Sequence, residues 1–420
     1  MIRSVVEQSA VEAAFLWSSR SAAVHDPHFD LPDLEKLDER LEAQLDCLRL
    51  AGDTGWEICK AAVDEDPGEV FAASAIAVYR FDLRGIADIL DLCDGAPPLQ
   101  RAVASALGWI SLDHTSQIFP GLLDSECPPV LHTLGIAASA AHGVHPGPVL
   151  SQALYSNNAE LQIGAFKAVG QLGRVELAAE IQAFLISPHA AANAEAHFAA
   201  ARSLALLGRH DAASPILWTI AKAANPFSEG AAALAARCEA PGRAQTNLRS
   251  LLAASATRRA AIVGIGASGD TLLVPSLLSE MEDPALRRIA AEAFTMITGM
   301  SVAEGPLRGQ PPPDFQSGPT EDPDDDNVAM DPDYYLPWPD VRAVAAWWTK
   351  YRTRYSAGVK YLAGRPIDAA WAGEVLRRGL QRQRAAAAVE LALLSPGKPL
   401  FDVTAPAFRQ RAALQGRKSQ

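Results

Sequence analysis

Residues 271–299 read TLLVPSLLSEMEDPALRRIAAEAFTMITG, and they describe two short helices back to back. Val274, Leu277, Leu278 and Met281 recur at helical spacing, and Pro275 fits a helix only in its first turn, where no backbone donor is lost. Glu282-Asp283-Pro284 breaks that pattern, with Asp283 placed as an N-cap and Pro284 at the first position of a second helix. Ile289, Ala290, Ala293, Phe294 and Ile297 form its apolar face, Arg287 and Arg288 stay near its start, and Gly299 stands where a helix takes a left-handed stop. Two amphipathic helices of about 12 residues are marginal in water, so the pair predicts stacked neighbours.

Those neighbours recur along the chain as small residues followed by a closing glycine. They are RAVASALG (101–108), IAASAAHG (136–143), GAFKAVGQLG (164–173), AARSLALLG (200–208), AIVGIGASG (261–269) and AAEAFTMITG (290–299). The spacing between successive glycines is 30 to 35 residues, except for one double step spanning the glycine-less copy AAALAARCEA (231–240). A period of this size belongs to helical-repeat arrays, and the pattern resembles the HEAT and HEAT-like repeat. The expectation is all-α: a right-handed α-solenoid of HEAT-like two-helix repeats with N- and C-terminal helical caps. Abundant alanine, few aromatics and the absence of long β-branched runs agree with close-packed helices.

The expected organisation is a helical cap over 1–66, repeats over 67–300, an acidic Pro-rich loop over 301–340 and a basic helical cap over 341–420. In the first cap, Asp30 is a plausible N-cap with Pro32 in the first turn, and Leu34, Leu37, Leu41, Leu45 and Leu48 run down one face. Residues 301–340 hold nine prolines, ten acidic residues and one Arg, which excludes helix over most of the segment.

The net charge of -12 is unevenly spread. Residues 1–300 carry 21 Lys/Arg against 35 Asp/Glu (net -14), residues 301–340 carry 1 against 10 (net -9), and residues 341–420 carry 15 against 4 (net +11). An acidic body repels phosphate backbones and speaks against general nucleic-acid binding. Cys47, Cys59, Cys93, Cys127 and Cys238 are odd in number and contain no C-x-x-C pair, which fits a reducing cytoplasm rather than a disulfide framework. Neither a signal peptide nor a membrane-spanning run is expected.

Candidate chemistry is sparse. Gly264-Ile-Gly266-Ala-Ser-Gly269 matches the G-x-G-x-x-G string of dinucleotide sites, but the residues before it are helical in register rather than a strand, so no cofactor is expected. His25-x-x-His28 and His142-x-x-His145 flank prolines and lack a third ligand, so turn histidines are expected and no metal. Asp283 and the arginines after it are expected to cap and bridge helices. No Ser/His/Asp order, nucleophile elbow or phosphate loop appears, and the chain is expected not to be an enzyme.

The acidic stretch 321–340 has three readings: a solvated loop, a segment that folds onto the basic tail at Arg377, Arg378, Arg382 and Arg384, or a partner-binding element. In the third, Asp322, Asp324, Asp325, Asp326, Asp331 and Asp333 meet a basic protein surface, and Tyr334, Tyr335 and Trp338 act as amphipathic anchors.

Two further runs, EAAFLWSSRSAAVHDPHFDLPDLEKLDERLEAQLDCLRLAGDTGW near the N-terminus and RPIDAAWAGEVLRRGLQRQRAAAAVELALLSPGKPLFDVTAPAFRQ near the C-terminus, resemble an uncharacterised family of proteobacterial HEAT-repeat proteins encoded near type VI secretion components. The resemblance implies a non-catalytic cytoplasmic immunity protein whose partner is a secreted toxin. A nuclease is favoured, because a DNA-binding active site is basic and complementary to an acidic solenoid. The alternatives are a scaffold or chaperone for secretion components and, less favoured, a HEAT-like DNA-repair enzyme or lyase.

Overall fold

The computed structural model describes residues 2–93, 95–188, 190–313, 315, 316, 318 and 330–416. Among these the chain is all-α apart from isolated bridges and one short hairpin, Tyr361–Leu362 against Arg365–Pro366, turned by Ala363 and Gly364 at positive φ. Each copy of the recurring segment lies in a helix: Pro97–Trp109, Pro129–Ala141, Ala159–Leu172, Ala194–Leu206, Ser228–Cys238, Arg258–Ser268 and Arg287–Thr298.

Gly143, Gly173, Gly208, Gly269 and Gly299 follow their helices with φ between 63° and 82°, as helix stops should. Gly108 does not. It lies inside Pro97–Trp109, where a Cβ would stand 3.2 Å from that of Ala141, so its small size serves helix packing rather than termination. Asp283 also departs from expectation. The helix begins at Arg287 with Leu286 as its N-cap, because Asp283 instead closes a turn by accepting from the Ala285 amide at 3.0 Å and pairs with Arg258 at 3.2 Å.

The chain divides into two compact units, one comprising Met1–Ile181, Arg377–Arg382 and Gly397–Gln420, the other Gln182–Leu376 and Gln383–Pro396. In the first, Arg3–Ala23 packs on Leu31–Leu50 and on Pro67–Tyr79, Pro67–Tyr79 packs on Pro97–Trp109, that helix on Pro129–Ala141, and Pro129–Ala141 on Ala159–Leu172. Asp30 accepts from the Asp33 amide as the N-cap of Leu31–Leu50, and Leu34, Leu41, Leu45 and Leu48 are buried. Trp17 stacks on Phe71 at 5.1 Å and Trp109 meets Phe71 edge-on at 5.8 Å, forming the aromatic centre of this core. In the second unit, Ala194–Leu206, His210–Lys222, Ser228–Cys238, Arg258–Ser268 and Arg287–Thr298 pack on their neighbours in turn.

The C-terminal chain returns over helix C-termini within each unit. In the second, Tyr361 donates to Gly269 O at 2.9 Å, Ala363 to Met296 O at 2.7 Å and Gly364 to Ile297 O at 3.0 Å. A Cβ on Gly269 would lie 2.4 Å from Tyr361 O, so that glycine serves both the left-handed stop and the close approach of the returning chain. Lys360 Nζ donates to Arg237 O at 2.7 Å, at the end of Ser228–Cys238, and Arg237 forms a buried ion pair with Glu390.

In the first unit Leu400 donates to Gln171 O at 2.8 Å, and the buried pair Arg20–Asp38 (2.7 Å) grips residues 404–407. Arg20 donates to Thr404 O and Ala405 O, and Asp38 accepts from the Ala407 amide, capping the helix Ala407–Gly416 from outside it. Burial pushes the Asp38 carboxyl up from its ordinary value, and Arg20 and the Ala407 amide only partly offset this. Lys360 of the basic tail thus meets a backbone carbonyl at a helix C-terminus, which carries partial negative charge.

Candidate partner-binding surface

The acidic loop is held from below by two arginines. Arg259 and Arg288 occupy the first turns of Arg258–Ser268 and Arg287–Thr298, one repeat apart. Arg259 grips the buried Asp333 with both ends of its guanidinium, at 2.8 and 2.7 Å, and gives Nε to Glu229 at 2.9 Å. Burial works against the Arg259 charge, yet the Asp333 and Glu229 carboxylates outweigh it and hold its pKa above the ordinary arginine value. The buried Arg288 donates to Asp333 O at 2.9 Å and to Asp331 Oδ2 at 2.5 Å. Its plane also sits over the rings of Trp338 (4.5 Å) and Phe315 (5.2 Å), which meet edge-on at 4.8 Å.

The loop stem is closed by backbone bonds, Gly309 N to Trp338 O at 2.7 Å and Asp340 N to Leu307 O at 2.8 Å. Asp340 then caps Val341–Tyr351 through the Ala343 amide. Between the anchors the chain turns sharply, with Tyr334 N bonded to Asp331 O and Leu336 N to Asp333 O. Because Asp333 and Leu336 are both buried (2% and 3% exposed), the two residues between them are forced outward: Tyr334 is 60% and Tyr335 59% exposed, with rings edge-on at 5.2 Å. Met330 beside them is 66% exposed.

The predicted site residues therefore separate by role. Asp331, Asp333 and Trp338 are spent on Arg259 and Arg288 and build the platform, whereas Tyr334 and Tyr335 form its exposed tip. Asp322, Asp324, Asp325 and Asp326 lie outside the described residues. In the basic tail, Arg382 donates to His25 O and Arg384 to Leu376 O, and Arg377 and Arg378 line a cavity with Asp30 and Arg411. Sequence reasoning did not assign Arg259 and Arg288 to this loop. The available signal was the Arg-Arg pair recurring one repeat apart, facing an Asp-x-Asp motif that needed two cations.

Other candidate chemistry resolves into packing. Gly264 and Gly266 lie within the helix Arg258–Ser268, where a Cβ would press on Leu248 (2.6 Å) and Ala293 (3.0 Å), so this glycine string permits close helix contact. His145 Nδ1 accepts from the Gly147 amide, and His28 donates its backbone amide to Asp26. Burial pushes the Cys59 and Cys238 thiols up to about 12, which favours the protonated thiol at neutral pH. Among the described residues no group of three or more His, Cys, Asp or Glu is placed to hold a metal ion, and no helix is long and apolar enough to cross a membrane. Comparisons with protein-family models, curated proteins and solved structures find no match.

Proposed function

We propose that this chain is a non-catalytic, HEAT-like helical-repeat protein that binds a protein partner through the Tyr334–Tyr335 tip and the acidic run before it. The observation that carries this reading is the construction of the tip: two adjacent exposed tyrosines held between buried anchors on a doubly clamped turn. Tyrosine offers a large amphipathic contact at low entropic cost, and a tip already rigid loses little freedom on binding. Nearest-neighbour stacking of helices within each unit supports a solenoid, in which every repeat buries its neighbour's apolar face.

The partner we favour is a secreted toxin with a basic active site, a nuclease above all, bound in the cytoplasm. Two things support it: the family resemblance of the terminal runs, and the net charge of -14 over residues 1–300 and -9 over residues 301–340. Opposite charge would speed encounter and make association salt-dependent.

The test is co-expression of the product of the adjacent gene with the chain or with the double variant Tyr334→Ser/Tyr335→Ser. The expected outcome is killing by that product alone, rescue by the wild-type chain and no rescue by the double variant. An adjacent product that is harmless and instead co-purifies with secretion components would replace the immunity reading with a scaffold. Full rescue by the double variant would remove the tyrosine tip from the interface.

A further inference from the structure

The first unit contains a cavity of about 340 Å³ between the C-terminus of Pro129–Ala141 and the returning tail, with His142, Gln171, Asp402, Arg409 and Gln410 as its polar lining. The rest of its wall is mainly apolar, including Ala140, Ala141, Leu400, Phe401, Ala412 and Ala413. This cavity is independent of the tyrosine tip.

Arg409 reaches His142 Nδ1 at 2.9 Å and Ala141 O at 3.5 Å, both through Nη1. His142 Nε2 lies 2.9 Å from Leu107 O, and a carbonyl can only accept, so the ring proton sits on Nε2. Thr115 agrees, since its hydroxyl donates to Ser111 O at 3.2 Å and leaves its oxygen to accept from Nε2 at 3.3 Å. Nδ1 therefore offers a lone pair, and His142 meets Arg409 as a neutral acceptor. Burial holds the His142 pKa below its ordinary value and the nearby Arg409 charge adds to this.

No carboxylate is hydrogen-bonded to Arg409 among the described residues, and Asp402 acts on it only through space. Among the described residues Arg409 forms no ion pair and its Nη2 donates to nothing, while its Nε, like that of Arg288, is buried away from the cavity without a hydrogen-bond partner. Asp402 on the cavity wall accepts at Oδ1 from the amide and hydroxyl of Thr404, and the neighbouring Arg20 is already paired with Asp38. Burial lowers the Arg409 pKa, with Asp402 offsetting part of the effect. A half-buried cation without an ion pair, beside an open and largely apolar space, is the arrangement that an anion with an apolar body would complete.

We propose that this cavity binds a free monocarboxylate on a short apolar body, with the carboxylate on Arg409 and the body against the Ala, Leu and Phe wall. A single charge is favoured because one guanidinium is present and Asp402 repels a second negative charge. The volume lies near the lower end of the range of about 300–1,000 Å³ for small-molecule sites, which suits a medium-chain acid.

Calorimetric titration of the full chain with sodium hexanoate, with hexanamide and with inorganic phosphate tests the proposal. Hexanoate is expected to bind saturably, with the amide and phosphate at least ~10-fold weaker, because only the carboxylate brings a single full negative charge to the guanidinium together with an apolar body. Arg409→Gln should lose the same factor. Ala413→Phe should also abolish binding, by filling the cavity from an exposed wall position with the arginine intact. That second variant decides the matter if Arg409→Gln alters the helix content seen by circular dichroism. Absence of hexanoate binding, equal binding of hexanamide, or undiminished binding by Ala413→Phe would overturn the assignment.

Discussion

Arg288 and Arg409 are the same side chain in opposite circumstances. Arg288 has Asp331, the carbonyl of Asp333 and two aromatic rings around it, so its charge is spent inside the fold. Arg409 has a neutral imidazole, one distant carbonyl and a cavity. A buried arginine bonded to carboxylates on its own chain is a structural clamp, whereas a half-buried one that hydrogen-bonds only neutral acceptors beside open space points to an external anion. The difference lies in the partners, which burial alone does not reveal.

The largest effect that would break this comparison belongs to the clamp. Arg288→Ala leaves Asp331 without its cation and Trp338 without its cover, and should cost about 3–5 kcal/mol in chemical denaturation. A loss below about 1 kcal/mol would mean that the clamp contributes nothing beyond a surface ion pair.

Mild acid should act on the other side. His142 is held by burial below its ordinary 6.5 in the folded chain, so the unfolded chain takes up the proton first. Its contribution is complete above about pH 6.5 and is lost as pH falls through the folded value. His25, His145, His197 and His210 are lowered in the same direction, burial being the main cause for each. The melting temperature should therefore fall by roughly a few degrees between pH 7.5 and 5.5. His142→Gln should flatten part of that slope, and an unchanged slope would place His142 outside the linkage.

The smallest effect is expected at Arg409. Arg409→Gln gives up no ion pair, so its stability in the absence of ligand should stay within about 1 kcal/mol of wild type. A loss as large as that of Arg288→Ala would make Arg409 a second structural clamp.

The helices were readable because small residues and a glycine recur with a fixed period, and a local rule covers each. Asp30 with Pro32, and Gly299 at a left-handed stop, are of this kind. Gly108 and Asp283 obeyed the same local rules as strings, but tertiary neighbours decided otherwise: Ala141 needs the space at one, and Arg258 takes the carboxylate at the other. The basic tail was visible as charge, yet its partners were not. Backbone carbonyls at helix ends attract Lys360 and Arg409 through partial charges that no side chain announces. In the candidate surface, the tyrosines were legible from residue type, whereas the assignment of Asp331, Asp333 and Trp338 to the platform needed the positions of Arg259 and Arg288. Contacts such as Arg20 with Thr404 join the two ends of the chain and leave no periodic trace.

Amide hydrogen exchange shows whether the arginine clamp holds the tyrosine tip ready. The amides of Gly309, Leu336 and Asp340, bonded to Trp338 O, Asp333 O and Leu307 O, should exchange slowly in the wild-type chain. In Arg288→Ala they should exchange at least ~100-fold faster, as expected for loss of a local unit worth about 3 kcal/mol, while amides within Pro67–Tyr79 of the other unit stay unchanged. Fast exchange at all three amides in the wild-type chain would contradict the account, because the tip would then have no platform to hold it.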